Sequence, residues 1–185
     1  MNKRGFTLVE VLTVVVITGV LVAMAVPMYE KSMEKSRMAE VRTVMAKILD
    51  AKLRMMDELN IYAYNNDFGA QNLDVVFACA SGTCEGTSFS TEHFTFSLKP
   101  SGTMPAGVTW RDSESTGVSK SLANGICAVR RKGENKGVAF LYLGELSEDP
   151  SKRLFCNDSG KTDSNSDGCL NYGMTSTGSK WCSES

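Results

Sequence analysis

One histidine stands in this chain of 185 residues, and the usual catalytic motifs are missing with it. No G-x-S-x-G, H-E-x-x-H or Walker-type run occurs. His93 falls within a predicted strand without an identifiable nucleophile or carboxylate partner, so it reads as a satisfied surface or edge histidine and not as a base. Charge of one sign is lacking as well. The formal net charge is -1, which argues against a general electrostatic grip on nucleic acid. Trp110, Trp181 and the tyrosines are scattered, as packing residues are and a base-stacking platform is not. No Cys-x2-Cys pair appears, only Cys79-x4-Cys84, which argues against zinc. No catalytic residue, resident cofactor or nucleic-acid partner is expected.

What is present begins at the N-terminus. Residues 6–26 carry a single charge, Glu10, and 21 such residues suffice for a helix to cross the roughly 30 Å hydrocarbon core of a bilayer. A basic pair, Lys3 and Arg4, and a small residue, Gly5, precede the run. An ordinary secretory signal has its small-residue cleavage site after the apolar stretch, which is then discarded. Cleavage after Gly5 would instead leave the hydrophobic helix on the mature protein, beginning with a free amine on Phe6. A carboxylate near the bilayer centre costs about 2 to 4 kcal/mol, so Glu10 reads as a functional group that requires a partner. It lies about one helical turn from that new amine, within reach of an amine on an adjacent helix.

The order Gly5-Phe6-Thr7-Leu8-Val9-Glu10, followed by Gly19 and Pro27, resembles the N-terminal signature of type IV pilins and of the related pseudopilins of type II secretion. The resemblance covers about the first 30 residues closely and the general plan beyond. It implies that a membrane prepilin peptidase cuts between Gly5 and Phe6, and that Phe6 becomes N-methylated. It implies too that Glu10 pairs with the Phe6 amine of a neighbouring subunit. Proline leaves the helix around Ala23 underbonded, and the family suggests that the stretch between Gly19 and Pro27 melts as subunits leave the bilayer for a filament. The implied partners are further copies of this chain, other pilins or pseudopilins, the peptidase, an inner-membrane assembly platform and, before assembly, membrane lipid. The implied location is the bacterial inner membrane with the head in the periplasm, and then an extracellular pilus. Size and six cysteines favour a pilus subunit over a periplasmic pseudopilin; a minor tip pilin or tethered binding module is the remaining alternative.

Four segments are expected: a cleaved leader over 1–5, a membrane or filament-core helix over 6–27, its amphipathic continuation over 28–58, and a globular head over 59–185. Losing Lys3 and Arg4 leaves 18 basic against 21 acidic side chains. Lys31, Lys35 and Arg37 follow the span closely, so charge alone does not orient it. Past Pro27, Met38, Val41, Met45, Ile48, Met55 and Leu59 form an apolar stripe that Lys52 interrupts, while Glu34, Arg37, Glu40 and other charges are assigned to other faces.

The head reads as α+β, pilin-like, with the long helix covering an antiparallel sheet. Strands are predicted over 89–98, 108–111, 125–131, 138–143 and, less clearly in pattern, 153–156, after an irregular stretch over 62–74. The charged, glycine-bearing run over 131–137 predicts a hairpin. Six cysteines on the exported side read as disulfides, and six permit 15 connectivities. The expected pairs are Cys79 with Cys84, Cys127 with Cys156, and Cys169 with Cys182; a C-terminal disulfide-bounded loop also resembles what many pilins carry. Asp163, Asn165, Asp167 and Gly168 spell the first half of a calcium loop, but Met174 stands at the twelfth position, which excludes an EF-hand. A solvated turn is the simpler reading there, with calcium the alternative.

Overall fold

The computed structural model describes residues 5–59, 88–98, 100, 104–109, 125–133, 135–161, 168–178 and 181–182. The irregular stretch over 62–74, Cys79, Cys84, Trp110 and the Asp163, Asn165, Asp167 run lie outside them. Helix α1 is continuous over Leu8–Leu59, 52 residues with Pro27 inside it, which is about 78 Å at 1.5 Å per residue. Among the described residues five strands follow: β1 Ser88–Ser90, β2 Phe94–Ser97, β3 Ile126–Arg130, β4 Ala139–Tyr142 and β5 Leu154–Asn157. They pair antiparallel with their neighbours in the order β1-β2-β3-β4-β5. A four-residue helix, α2 Gly168–Asn171, comes last. The fold class is α+β, as the sequence predicts.

Alternation places the core. In β2, Phe94 and Phe96 are buried while Thr95 and Ser97 are half-buried. The two rings point at α1, where Met38, Val41, Met45 and Ile48 recur at steps of three and four and are buried against the sheet. Each such side chain taken from water is worth about 1.5 to 3 kcal/mol. Phe140 of β4 joins them, meeting Phe94 edge-on at 6.2 Å and Tyr172 at 5.1 Å. Of the predicted stripe, Met55 and Leu59 lie outside the described side chains.

The charged positions on α1 depart from expectation. Lys52 does not interrupt the packing: it is buried, and its Nζ donates to the carbonyls of Leu98 at 3.1 Å and Gly125 at 3.3 Å. Burial pushes its ammonium down to about 7. Glu34 does not sit on a solvent face either; it packs at the other end of the same stripe.

Two strand readings change. The predicted strand over 89–98 is a hairpin, because Thr91 turns the chain on itself. Its N–H donates to the Phe94 carbonyl at 2.8 Å, and its hydroxyl accepts from the Phe94 N–H at 3.2 Å. His93 therefore lies in a turn, and its carbonyl accepts from the Arg131 N–H at 2.9 Å and from Arg130 Nη1 at 3.1 Å. Val108 and Thr109 form no strand; Thr109 offers its carbonyl to the Glu148 N–H at 3.0 Å, and 110–111 lie outside the described residues.

The disulfide pairing also differs from expectation: Cys127 bonds Cys182 and Cys156 bonds Cys169, with Cα separations of 6.0 and 5.8 Å. The sheet explains why. Strand β4 lies between β3 and β5, and Cys127 stands on the opposite face from Cys156. Cys127 belongs with Leu141, Leu143 and Trp181 under the C-terminal tail, whereas Cys156 faces α1 and α2. The tail then runs beside β5, where Thr177 donates its N–H to the Cys156 carbonyl at 2.9 Å and blunts the exposed edge.

Candidate assembly interface

Every residue from 5 to 33 is exposed, and the exposed side chains are mostly large and apolar, Phe6 at 87% and Leu8 at 81% among them. The helix over this stretch is long and apolar enough to cross a membrane. The sequence-predicted site residues therefore lie along one bare half-helix: Gly5 and Phe6 at its start, Glu10 in its first turn, Gly19 midway and Pro27 near its end. They are strung along the axis and do not gather in a pocket. A Cβ on Gly19 would meet nothing within 4 Å, so packing inside this chain does not require glycine there.

Glu10 has an intrachain role that its acidity alone does not reveal. Thr7 is the N-cap of α1, and Glu10 stands three residues on. The Thr7 N–H donates to Glu10 Oε2 at 2.9 Å and the Thr7 hydroxyl donates to the same oxygen at 2.8 Å, while the Glu10 N–H donates to the Thr7 hydroxyl at 3.3 Å. This is a capping box, legible as Thr7-x-x-Glu10. Both bonds land on Oε2, and among the described residues no hydrogen bond reaches Oε1. Threonines farther along satisfy themselves: Thr13 donates to the Glu10 carbonyl at 3.0 Å and Thr18 to the Val14 carbonyl at 2.9 Å. The surface between them stays apolar.

The bare half-helix is joined to the head through Glu34. Its carboxylate accepts from Arg130 Nη2 at 3.0 Å, from the Tyr172 hydroxyl at 2.6 Å and from Arg37 Nη1. Arg130 is buried and its guanidinium lies over the Phe94 ring, 5.2 Å from the centroid. Burial works against the Glu34 charge, but the Tyr172 hydrogen bond and the Arg130 and Arg37 charges outweigh it, holding the carboxyl below its ordinary range. Burial first, and then Glu34, push the Tyr172 phenol upward. One carboxylate thus ties α1 to β3 and to the C-terminal segment. A signal existed in the sequence: 34, 38, 41, 45, 48 and 52 advance in alternating steps of four and three, so the stripe has a charged residue at each end.

Residues 1–26 match the model for the prokaryotic N-terminal methylation motif. Over 90 residues the chain is 31% identical to the type IV major pilin protein PilA of Myxococcus xanthus (strain DK1622). That match spans 45% of this chain and 41% of the relative, so the chain covers about two fifths of the relative's length. No solved structure matches it. An exposed apolar half-helix, an acid in its first turn and this matched motif agree: the chain carries the type IV pilin N-terminal signature on an α+β, pilin-like body.

Proposed function

We propose that this chain is a structural subunit of a type IV pilus-like filament and acts by assembly, not by catalysis. The observation that carries the reading is the half-helix: a run over 6–26 that keeps one charge, fully exposed, on a head that already has its own core. Water does not tolerate such a surface, so it is covered first by lipid and then by other copies.

In this reading a prepilin peptidase of the inner membrane removes 1–5 by cutting after Gly5, and the Phe6 amine is methylated. The subunit waits as a single-pass membrane protein with its head outside the cytoplasm. An assembly platform then draws it into a bundle of apolar helices. There the free Oε1 of Glu10 takes the Phe6 amine of a neighbouring subunit, which fixes axial register, because any other offset leaves the acid unpaired in a medium of low dielectric. The segment between Gly19 and Pro27 loosens on entry, since Pro27 has already removed one helix bond there. Size and six cysteines favour the pilus over a periplasmic secretion pseudopilus, which is the alternative use of the same helix.

Mass spectrometry of native material, with electron microscopy of the cell surface, tests this. A chain beginning at N-methylated Phe6 within surface filaments built mainly of this protein is the expected result. A retained Met1, or a periplasmic monomer without filaments, would overturn it.

A further inference from the structure

The β3–β4 loop lies against α1 just beyond the apolar run. Tyr29, Met33 and Arg37 of α1 share a hollow with Gly133 and Asn135 of the loop. Glu34 at its floor bonds Arg130, where the loop begins. At this level along α1, Lys31 and Lys35 of the helix and Arg131, Lys132 and Lys136 of the loop are all exposed. Glu30 and Glu92 are the nearby acids on the helix and at the β1–β2 turn, and the sequence adds Glu134 in the loop. Glu34 does not offset the rim, because Arg37 and Arg130 already neutralise it. Five cations against three acids leave the rim basic, in a chain whose overall balance is slightly acidic.

The rim lies at a defined depth. The apolar run ends at Val26, so Tyr29 to Lys35 rise about 5 to 14 Å above the hydrocarbon boundary at 1.5 Å per residue. That interval covers the headgroup layer, about 5 to 8 Å thick per leaflet, and roughly the Debye length beyond it. Tyr29, 66% exposed, stands where interfacial aromatics settle.

We propose that this basic rim, on the helix and on the β3–β4 loop, docks the head against the anionic phospholipid headgroups of the membrane that α1 crosses, holding the waiting subunit at one depth and tilt. The proposal rests on the membrane reading of α1. It also accounts for lysines on the side of the span where orientation by charge alone would not put them.

Full-length protein in phosphatidylcholine vesicles, with and without phosphatidylglycerol, tests it by lysine acetylation read by mass spectrometry. Lys47, exposed on α1 about 18 Å farther from the membrane, serves as internal reference. With the anionic lipid, Lys132 and Lys136 should react several-fold more slowly relative to Lys47, about fivefold per well-placed lysine. Salt at about 1 M, where the Debye length is about 3 Å, should restore their rates. A Lys31→Gln, Lys35→Gln variant should lose part of the lipid-dependent protection at Lys132 and Lys136. Equal rates in both vesicles, or protection indifferent to salt and to the double variant, would overturn the docking claim. Failure of the chain to float with either vesicle would instead contradict the membrane reading beneath it.

Discussion

Two ionisable side chains close the buried stripe of α1, and the protein treats them in opposite ways. Glu34 is held charged by Arg130, Arg37 and Tyr172. Lys52 is buried at a cost to its charge, with carbonyls for partners. Glu34→Gln leaves Arg130 buried without its counter-ion, so the head should lose about 3 kcal/mol, read by denaturant unfolding. Because the folded carboxyl titrates below its ordinary value, this stabilisation is present above that value and fades as pH falls through the lowered one. Lys52 gives a slope of the same sign in a higher pH window. Its folded value of about 7 lies below the unfolded 10.5, so between these pH values the unfolded chain binds more protons. Stability contributed by this group should therefore rise from about pH 7 toward 10.5 and be level below 7. The melting temperature of Lys52→Met, followed over that range by circular dichroism, should lose this component of the slope; an identical slope in both proteins would contradict it. Neither role was read from residue type, because a charge on an amphipathic helix usually marks the solvent face. The alternating four-three spacing was the stronger cue.

At the scale of elements, the strands were legible wherever alternation was clean, and β2 with Phe94 and Phe96 is the plainest case. The β1–β2 turn was missed because Thr91, Glu92 and His93 include neither glycine nor proline. The turn is made by a hydroxyl, and hydroxyl turns leave only a weak mark on sequence. Disulfide partners were beyond local reasoning, since strand order and sheet face decide them. A peptide map without reduction should join Cys127 to Cys182 and Cys156 to Cys169; peptides joining Cys127 to Cys156 would contradict the fold as described. The first bridge closes a separation of 55 residues and the second 13. Cys182→Ser should then cost about 4 kcal/mol and Cys169→Ser about 3 kcal/mol in the chain-entropy account. Loss of the first should also loosen Trp181 from Phe155, 6.2 Å away, and so move tryptophan fluorescence toward that of exposed indole.

The whole molecule divides by solvent. The apolar half of α1 is exposed along its whole length, which the proposed reading covers with lipid or with other copies, and the head has a buried core, with the Glu34 cluster as the rivet between them. The apolar half was fully legible, because length, charge scarcity and the spacing of Gly5, Phe6 and Glu10 are linear properties of the chain. The rivet was not, since it joins residues 34, 130 and 172. The capping box complicates the obvious experiment on Glu10: alanine would remove both the carboxylate half of the box, which accepts from the Thr7 N–H and hydroxyl, and the charge. Glu10→Gln separates the two, because the amide oxygen still accepts from Thr7 while no ion pair with a neighbouring amine can form. The deciding measurement is the yield of filaments from cells expressing Glu10→Gln, with leader cleavage and head melting temperature followed in the same material. Cleaved, folded, membrane-held subunits without filaments are the expected result; filaments at the unmodified yield would contradict pairing between Glu10 and the next subunit's Phe6.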